Sequence, residues 1–155
     1  MNKELATYLV GRHIDFILFP FSFKEFLDYK SFDIKTKRYT SEWHSKIIDS
    51  LQEYMQIGGI PLALVEGSNY LLQLYSDIIQ RDVPHRYSIS YPSEFKLLSD
   101  YLLSNFSNEI TYNKLKNIVG MKTPNTISKW VSYISNSYLI FTKCIAESPR
   151  YLIVG

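Results

Sequence analysis

The chain has a single cysteine, Cys144, among its 155 residues. That excludes an internal disulfide, and a lone thiol inside an apolar run reads as plain packing. No stretch approaches the ~20 apolar residues that a membrane-spanning helix requires. No basic-then-apolar leader stands at the start, so a cytoplasmic protein without a membrane partner is the default expectation. Histidine is scarce: His13, His44 and His85 share no i, i+4 spacing and have no acidic partner at ligand distance in sequence, so no metal site is expected. No G-x-S-x-G arrangement occurs, which argues against an independent hydrolase. No G-x-x-x-x-G-K-[ST] occurs either, and Gly58-Gly59 lacks the lysine of a phosphate loop. Charge of one sign is also short: 17 basic and 15 acidic side chains leave a net charge of +2. That is too little to argue for nucleic acid by itself.

What is present describes an ordered, globular chain. Hydrophobic residues make up 46% and charged residues 21%, and the length allows one or two domains with a real core. Aromatic residues reach 15%, with 13 Tyr and 9 Phe. Tyrosine can pack its ring and keep its hydroxyl wet, so many of these fit a half-buried role.

The firmest local pattern runs from Thr111 to Ile153. Thr111 can cap a helix in which Tyr112, Leu115, Ile118 and Val119 recur at helical spacing. Gly120 then supplies a left-handed stop. Thr123 can cap a second helix, with Pro124 at its first position. Ile127, Val131, Ile134 and Tyr138 share one face of that helix, beside Trp130. Asn125, Ser128, Lys129, Ser132 and Tyr133 fall on the outer face. Two short apolar runs around Glu147-Ser-Pro-Arg150 suggest a β-hairpin. The expected unit is a winged helix-turn-helix, whose usual work is to lay its second helix in a DNA major groove.

Earlier in the chain, Met1–Val10 reads as a short helix. Ile14–Phe19 reads as a strand, apolar at nearly every position as in a parallel sheet buried on both faces. Nothing else in the first hundred residues offers that strand a partner. Ser22 and Glu25 form a capping-box pattern for a helix over 21–28. Residues 42–57 predict a helix with Ile47, Ile48, Leu51, Tyr54 and Met55 as its buried stripe. Gly58-Gly59 stops it. A further helix follows with Leu71, Leu74, Tyr75, Ile78 and Ile79 inward, ended or kinked at Pro84. The last helix before Thr111 spans 94–106, with Phe95, Leu98, Leu102 and Phe106 facing in.

Charge is unevenly distributed along this order. Residues 109–155 hold six basic side chains (Lys114, Lys116, Lys122, Lys129, Lys143, Arg150) against two acidic ones (Glu109, Glu147), a net of +4. The remaining 11 basic and 13 acidic side chains leave residues 1–108 at −2. The positive field therefore lies on the helix-turn-helix, although four extra charges are also ordinary solubility.

Several short motifs occur in a telling order. They are Leu9-Val10-Gly11-Arg12, Phe19-Pro20-Phe21-Ser22-Phe23-Lys24-Glu25-Phe26-Leu27, and Tyr54-Met55-Gln56-Ile57-Gly58-Gly59-Ile60-Pro61. After them come Ile78-Ile79-Gln80-Arg81-Asp82-Val83, Thr126-Ile127-Ser128-Lys129-Trp130 and Ser137-Tyr138-Leu139-Ile140. With these the chain resembles the C-terminal half of prokaryotic, largely archaeal, AAA-like P-loop ATPases. These carry a domain of unknown function with a winged helix after the nucleotide-binding core. The resemblance implies a mainly α chain. Residues 1–29 would be a remnant of the ATPase core with one orphan strand, residues 42–90 a helical lid-like region, and residues 91–155 the winged helix. It implies ATP and magnesium for the parent protein and no cofactor for this chain, which lacks the phosphate loop and the acidic metal-binding strand. The chain departs from the pattern at Lys116, where relatives place a small residue. It also stops at Gly155, where they continue into a region that is nuclease-like in some cases. It therefore looks like a fragment that does not hydrolyse ATP alone.

Two sets of candidate residues follow. Arg12, Arg81, Asp82 and Arg86 are candidates for sensing nucleotide, with Asp82 orienting Arg81; the alternative is a helix-end cap and a structural ion pair. Asn125, Ser128, Lys129, Ser132 and Tyr133 are candidates for DNA bases and phosphates, Lys122 and Lys143 for phosphates, and Arg150 for a wing tip. The alternative is that the winged helix is a non-catalytic module that docks on an ATPase core or self-associates. The apolar Ile14–Phe19 run, if left bare, favours self-association.

Overall fold

The computed structural model describes residues 14, 16, 18–32, 40–144 and 151–154. The expected helix over Met1–Val10, Arg12 and the loop through Arg150 lie outside the described residues. The chain is mainly helical and separates into two units, residues 1–70 and 71–155.

In the first unit, α1 (Phe23–Tyr29) starts at the expected cap. The Ser22 hydroxyl accepts from the Glu25 amide, and the Glu25 carboxylate accepts from the Ser22 amide at 2.8 Å. The Ser22 amide and hydroxyl hold the Glu25 carboxyl below the usual carboxylate range. α2 (Ser41–Ile57) is capped by Thr40 and ends at Gly58, whose φ of 77° suits glycine. α3 (Pro61–Glu66) follows, and α4 (Ser68–Asp77) carries the chain into the second unit.

Two of the sequence motifs meet in this first unit. The Tyr54 hydroxyl donates to the Phe21 carbonyl at 2.6 Å, and the Phe21 amide donates to the Gly59 carbonyl at 2.7 Å. Rings of Phe23, Phe26 and Tyr54 pack with centroids 5.3–6.3 Å apart. Gly59 has no freedom here: a β-carbon on it would stand 2.1 Å from the Phe21 carbonyl oxygen. Phe-Pro-Phe-Ser and Ile-Gly-Gly-Ile-Pro are thus one packing device.

The second unit begins as α4 widens into a π-helical turn over Ile78–Asp82 and tightens again as α5 (Val83–Tyr87). Pro84 lies in the first turn of α5, where a missing amide costs no intrahelical bond. The helix is therefore locally unwound ahead of the proline instead of ending there. α6 (Pro92–Ser104), β1 (Glu109–Ile110), α7 (Tyr112–Val119), α8 (Pro124–Asn136), β2 (Phe141–Cys144) and β3 (Tyr151–Val154) complete it. The strands form one antiparallel sheet ordered β1-β3-β2, with Lys143 opposite Leu152 and Ile110 opposite Tyr151.

α7 is capped by the Thr111 hydroxyl at 3.2 Å from the Lys114 amide, and Gly120 is left-handed at φ 76°. The core joins α6, α7 and α8. Phe95, Leu98, Leu102, Leu115 and Ile127 have no exposed surface, and Trp130 meets Phe95 edge-on at 5.6 Å. Tyr75 ties α4 to α6 by donating to Asp100 at 2.5 Å, and Lys96 holds the other carboxylate oxygen at 2.6 Å.

Several expectations are corrected. Residues 14, 16, 18 and 19 belong to no strand and are exposed, and among the described residues no strand lies beside them to pair with. On α2, Ile47 and Tyr54 are half-buried but Ile48, Leu51 and Met55 are exposed; the helix is apolar over a wider arc than α1 can cover. α6 ends at Ser104, two residues short of Phe106, which is exposed. Ile118 lies at the rim of α7, and Tyr138 lies past the end of α8 with φ 60°; both are exposed. Thr123 makes no side-chain cap, its hydroxyl pairing with that of Thr126 at 2.9 Å. β1 carries no sequence signal of its own. Among the described residues no helix is long and apolar enough to cross a membrane.

Candidate nucleic-acid interface

α8 exists because Pro124 fits its first position and because Ile127, Trp130, Val131 and Ile134 bind it to the core. That burial leaves the opposite face as a row: Asn125, Lys129, Ser132 and Asn136 are all exposed. They stand at i, i+4, i+7 and i+11, a straight stripe along three turns. An amide, an ammonium, a hydroxyl and a second amide can each reach a phosphate oxygen or a base edge. Lys122 is exposed in the turn before α8, and Lys143 is exposed on β2.

Two of the expected contacts do not belong to that row. Ser128 is half-buried at its edge. Tyr133 is covered by Tyr87, whose ring lies flat on it with centroids 3.8 Å apart and planes 4° apart. The Asn136 amide adds a long hydrogen bond of 3.4 Å to the Tyr87 hydroxyl. The segment Tyr87–Tyr91 thus runs beside α8 and leaves a cleft of about 280 Å³ between them. Ser88, Ser90, Thr126 and Lys129 give it polar groups, and Met121 and Trp130 give it apolar ones. Sequence reasoning missed Asn136, although the Asn125 spacing extends to it. It also missed Tyr87, since nothing local announces a contact across 49 positions.

The nucleotide-sensing candidates are differently placed. Arg81 lies in the π-helical turn and is exposed. Its Nε contacts Asp82 at 3.2 Å and its Nη1 contacts Asp77 at 3.3 Å. One guanidinium therefore bridges two carboxylates, with a single contact to each. At this exposure such pairs contribute about 0–1 kcal/mol. Arg86 is exposed on α5 and makes no ion pair among the described residues. No group of three or more His, Cys, Asp or Glu among the described residues could hold a metal ion.

Tyr75 and Asp100 are the perturbed pair. Burial, and then donation to Asp100, push the Tyr75 hydroxyl well above the usual phenol range. Burial alone raises the Asp100 carboxyl, but hydrogen bonds from Lys96 and Tyr75 outweigh it and hold it below the usual carboxylate range. The pair braces α4 against α6 and does not line the cleft beside α8.

Residues 48–145 match a family described as a domain of unknown function, DUF8612, and the chain belongs to that family. An uncharacterized protein of Methanocaldococcus jannaschii, MJ1544, is 36% identical over 174 residues, covering 100% of this chain and 39% of its own length. An uncharacterized protein of Haemophilus influenzae is 27% identical over 150 residues, 91% of this chain and 35% of its own length. The chain thus spans well under half of the curated relatives it matches. No solved structure matches it significantly.

Proposed function

We propose that residues 91–155 are a winged helix-turn-helix that binds double-stranded DNA, with α8 in the major groove. The observation that carries this is the exposed row Asn125, Lys129, Ser132 and Asn136, a helix face that is polar over three turns and carries a cation near its middle. The order helix, short strand, two helices, hairpin supports it, as does the β1-β3-β2 sheet that sets Lys143 on the hairpin. Lys122 and Lys143 then hold phosphates on either side of α8. The hairpin has the place of a wing. We infer further that the domain works inside a longer nucleotide-dependent protein of the AAA-like class. The motif order supports this, together with the length of the relatives; this chain supplies no step of ATP hydrolysis.

A second reading has its own observation. Tyr87 covers Tyr133, so part of the face expected to be free is engaged by protein. Such a helix also suits a protein partner. Fluorescence anisotropy with a random duplex at two salt concentrations separates the readings. DNA binding must weaken as salt rises, and Lys129→Ala should weaken it about 3–10-fold and reduce the salt slope by about 0.9. No binding at low salt, or no change in Lys129→Ala, favours the protein partner.

A further inference from the structure

We propose that the exposed stripe of α2 is a docking face for the part of the longer relatives that lies outside the share matched by this chain. Ile48, Leu51 and Met55 stand at i, i+3 and i+7 and are 54%, 40% and 77% exposed. That spacing is the anchor pattern by which one helix seats against another surface. The stripe is centred about 80° around α2 from the face that Ile47 and Tyr54 turn toward the first unit's own packing. It is therefore the uncovered shoulder of a wide apolar arc on the same helix.

The surroundings of the stripe make burial cheap. Ser41, Ser45 and Gln52 flank it on one side, and His44 continues it one turn before Ile48; all four are exposed. The charged residues of α2 lie elsewhere, and Glu42 and Lys46 already pair at 2.7 Å. Covering Ile48, Leu51 and Met55 leaves the carboxylates and the ammonium of α2 on its opposite side, and places the His44 imidazole at the edge of the covered area. The occupant therefore presents an apolar face with a neutral rim and gains nothing from charge steering, as befits a segment of one polypeptide.

The described part of the first unit carries further exposed apolar side chains. Its buried apolar side chains among the described residues are Phe26, Leu27 and Ala63. Leu62 and Val65 of α3 are exposed as well, at 47% and 70%. The Methanocaldococcus relative has more than half of its length outside the matched 39%, enough to supply a covering surface.

The test mixes the whole chain with the separately produced remainder of the Methanocaldococcus protein and follows both by size exclusion with light scattering. The expected result is a 1:1 complex, weakened at least ~100-fold by Leu51→Asp with Met55→Asp. Met55→Asp alone, at the most exposed of the three positions, serves if the double variant fails to fold, and circular dichroism checks each. Three results overturn the proposal. One is the absence of a complex. Another is a self-dimer that the same variants dissolve, which assigns the stripe to a second copy. The last is a monomer destabilised by the variants, which means that the stripe packs within its own chain.

Discussion

The two units of this chain solve the burial problem differently. Residues 71–155 close thirteen apolar side chains into one cluster, from Ile79 through Ile140. Residues 1–70 bury three among those described, and leave Ile48, Leu51, Met55, Leu62 and Val65 in solvent. Yet the first unit is not loosely specified. It has a full capping box at Ser22 and Glu25, a tyrosine hydroxyl on a part-buried carbonyl, and a glycine whose added β-carbon would meet backbone. Local geometry is defined in both units, but among the described residues the second closes far more apolar side chains into a core. Capping and hydrogen bonds contribute about 1 kcal/mol each, whereas a closed core contributes that much per methylene or two.

The largest effect that separates the units should come from core truncation. Leu98→Ala should cost about 2–5 kcal/mol by urea unfolding, while Leu51→Ala on the exposed stripe should change it by less than about 0.5 kcal/mol. Equal losses would break the comparison.

Next comes Gly59→Ala. Its new methyl meets backbone, not a side chain that can swing away, so about 1–3 kcal/mol should be lost from the first unit. Proteolysis should then cut more readily between Phe21 and Gly59, while the near-ultraviolet signal of Trp130 against Phe95 stays unchanged. Spectral loss around Trp130 would mean that the units fold as one.

The smallest effect is the Tyr75 brace, about 1 kcal/mol at neutral pH. Its pH dependence is more telling than its size. The Tyr75 hydroxyl is raised in the folded state, so its contribution is complete below pH ~10 and fades as pH rises above that. Asp100 is lowered, so its contribution is present above pH ~4 and fades as pH falls through that range. The stability difference between wild type and Tyr75→Phe should be flat at neutral pH and shrink at both ends. A difference that grows above pH 10 would contradict the assignment.

Much of the second unit was legible in the sequence because its signals are local. Thr111, Gly120 and Pro124 each act within one turn, and the inward residues of α6 and α8 follow from periodicity alone. What stayed hidden depends on distant neighbours. The Tyr87–Tyr133 stack brings together residues with no shared pattern, and it removes one expected contact from the outer face of α8. β1 is too short for alternation to register. In the first unit the apolar stripe of α2 was visible, but periodicity identifies an apolar face and not whether anything covers it. The π-helical turn before Pro84 was likewise unreadable, since a proline predicts disturbance without saying whether the helix ends or widens. Of the candidate site, Asn125, Lys129 and Ser132 follow from helical spacing, and Asn136 was available by the same rule. The placement of Arg12 and Arg150 lies outside the described residues.

Native-state hydrogen exchange on the whole chain tests the central contrast most directly, because it reads each unit without cutting them apart. Amides in α6, α7 and α8 should exchange only through global unfolding. Those in α1, α2 and α3 should open at least ~100-fold more often, a gap of about 2.7 kcal/mol. Uniform protection across both sets would contradict the account, since the first unit would then be held as firmly as the second without a partner.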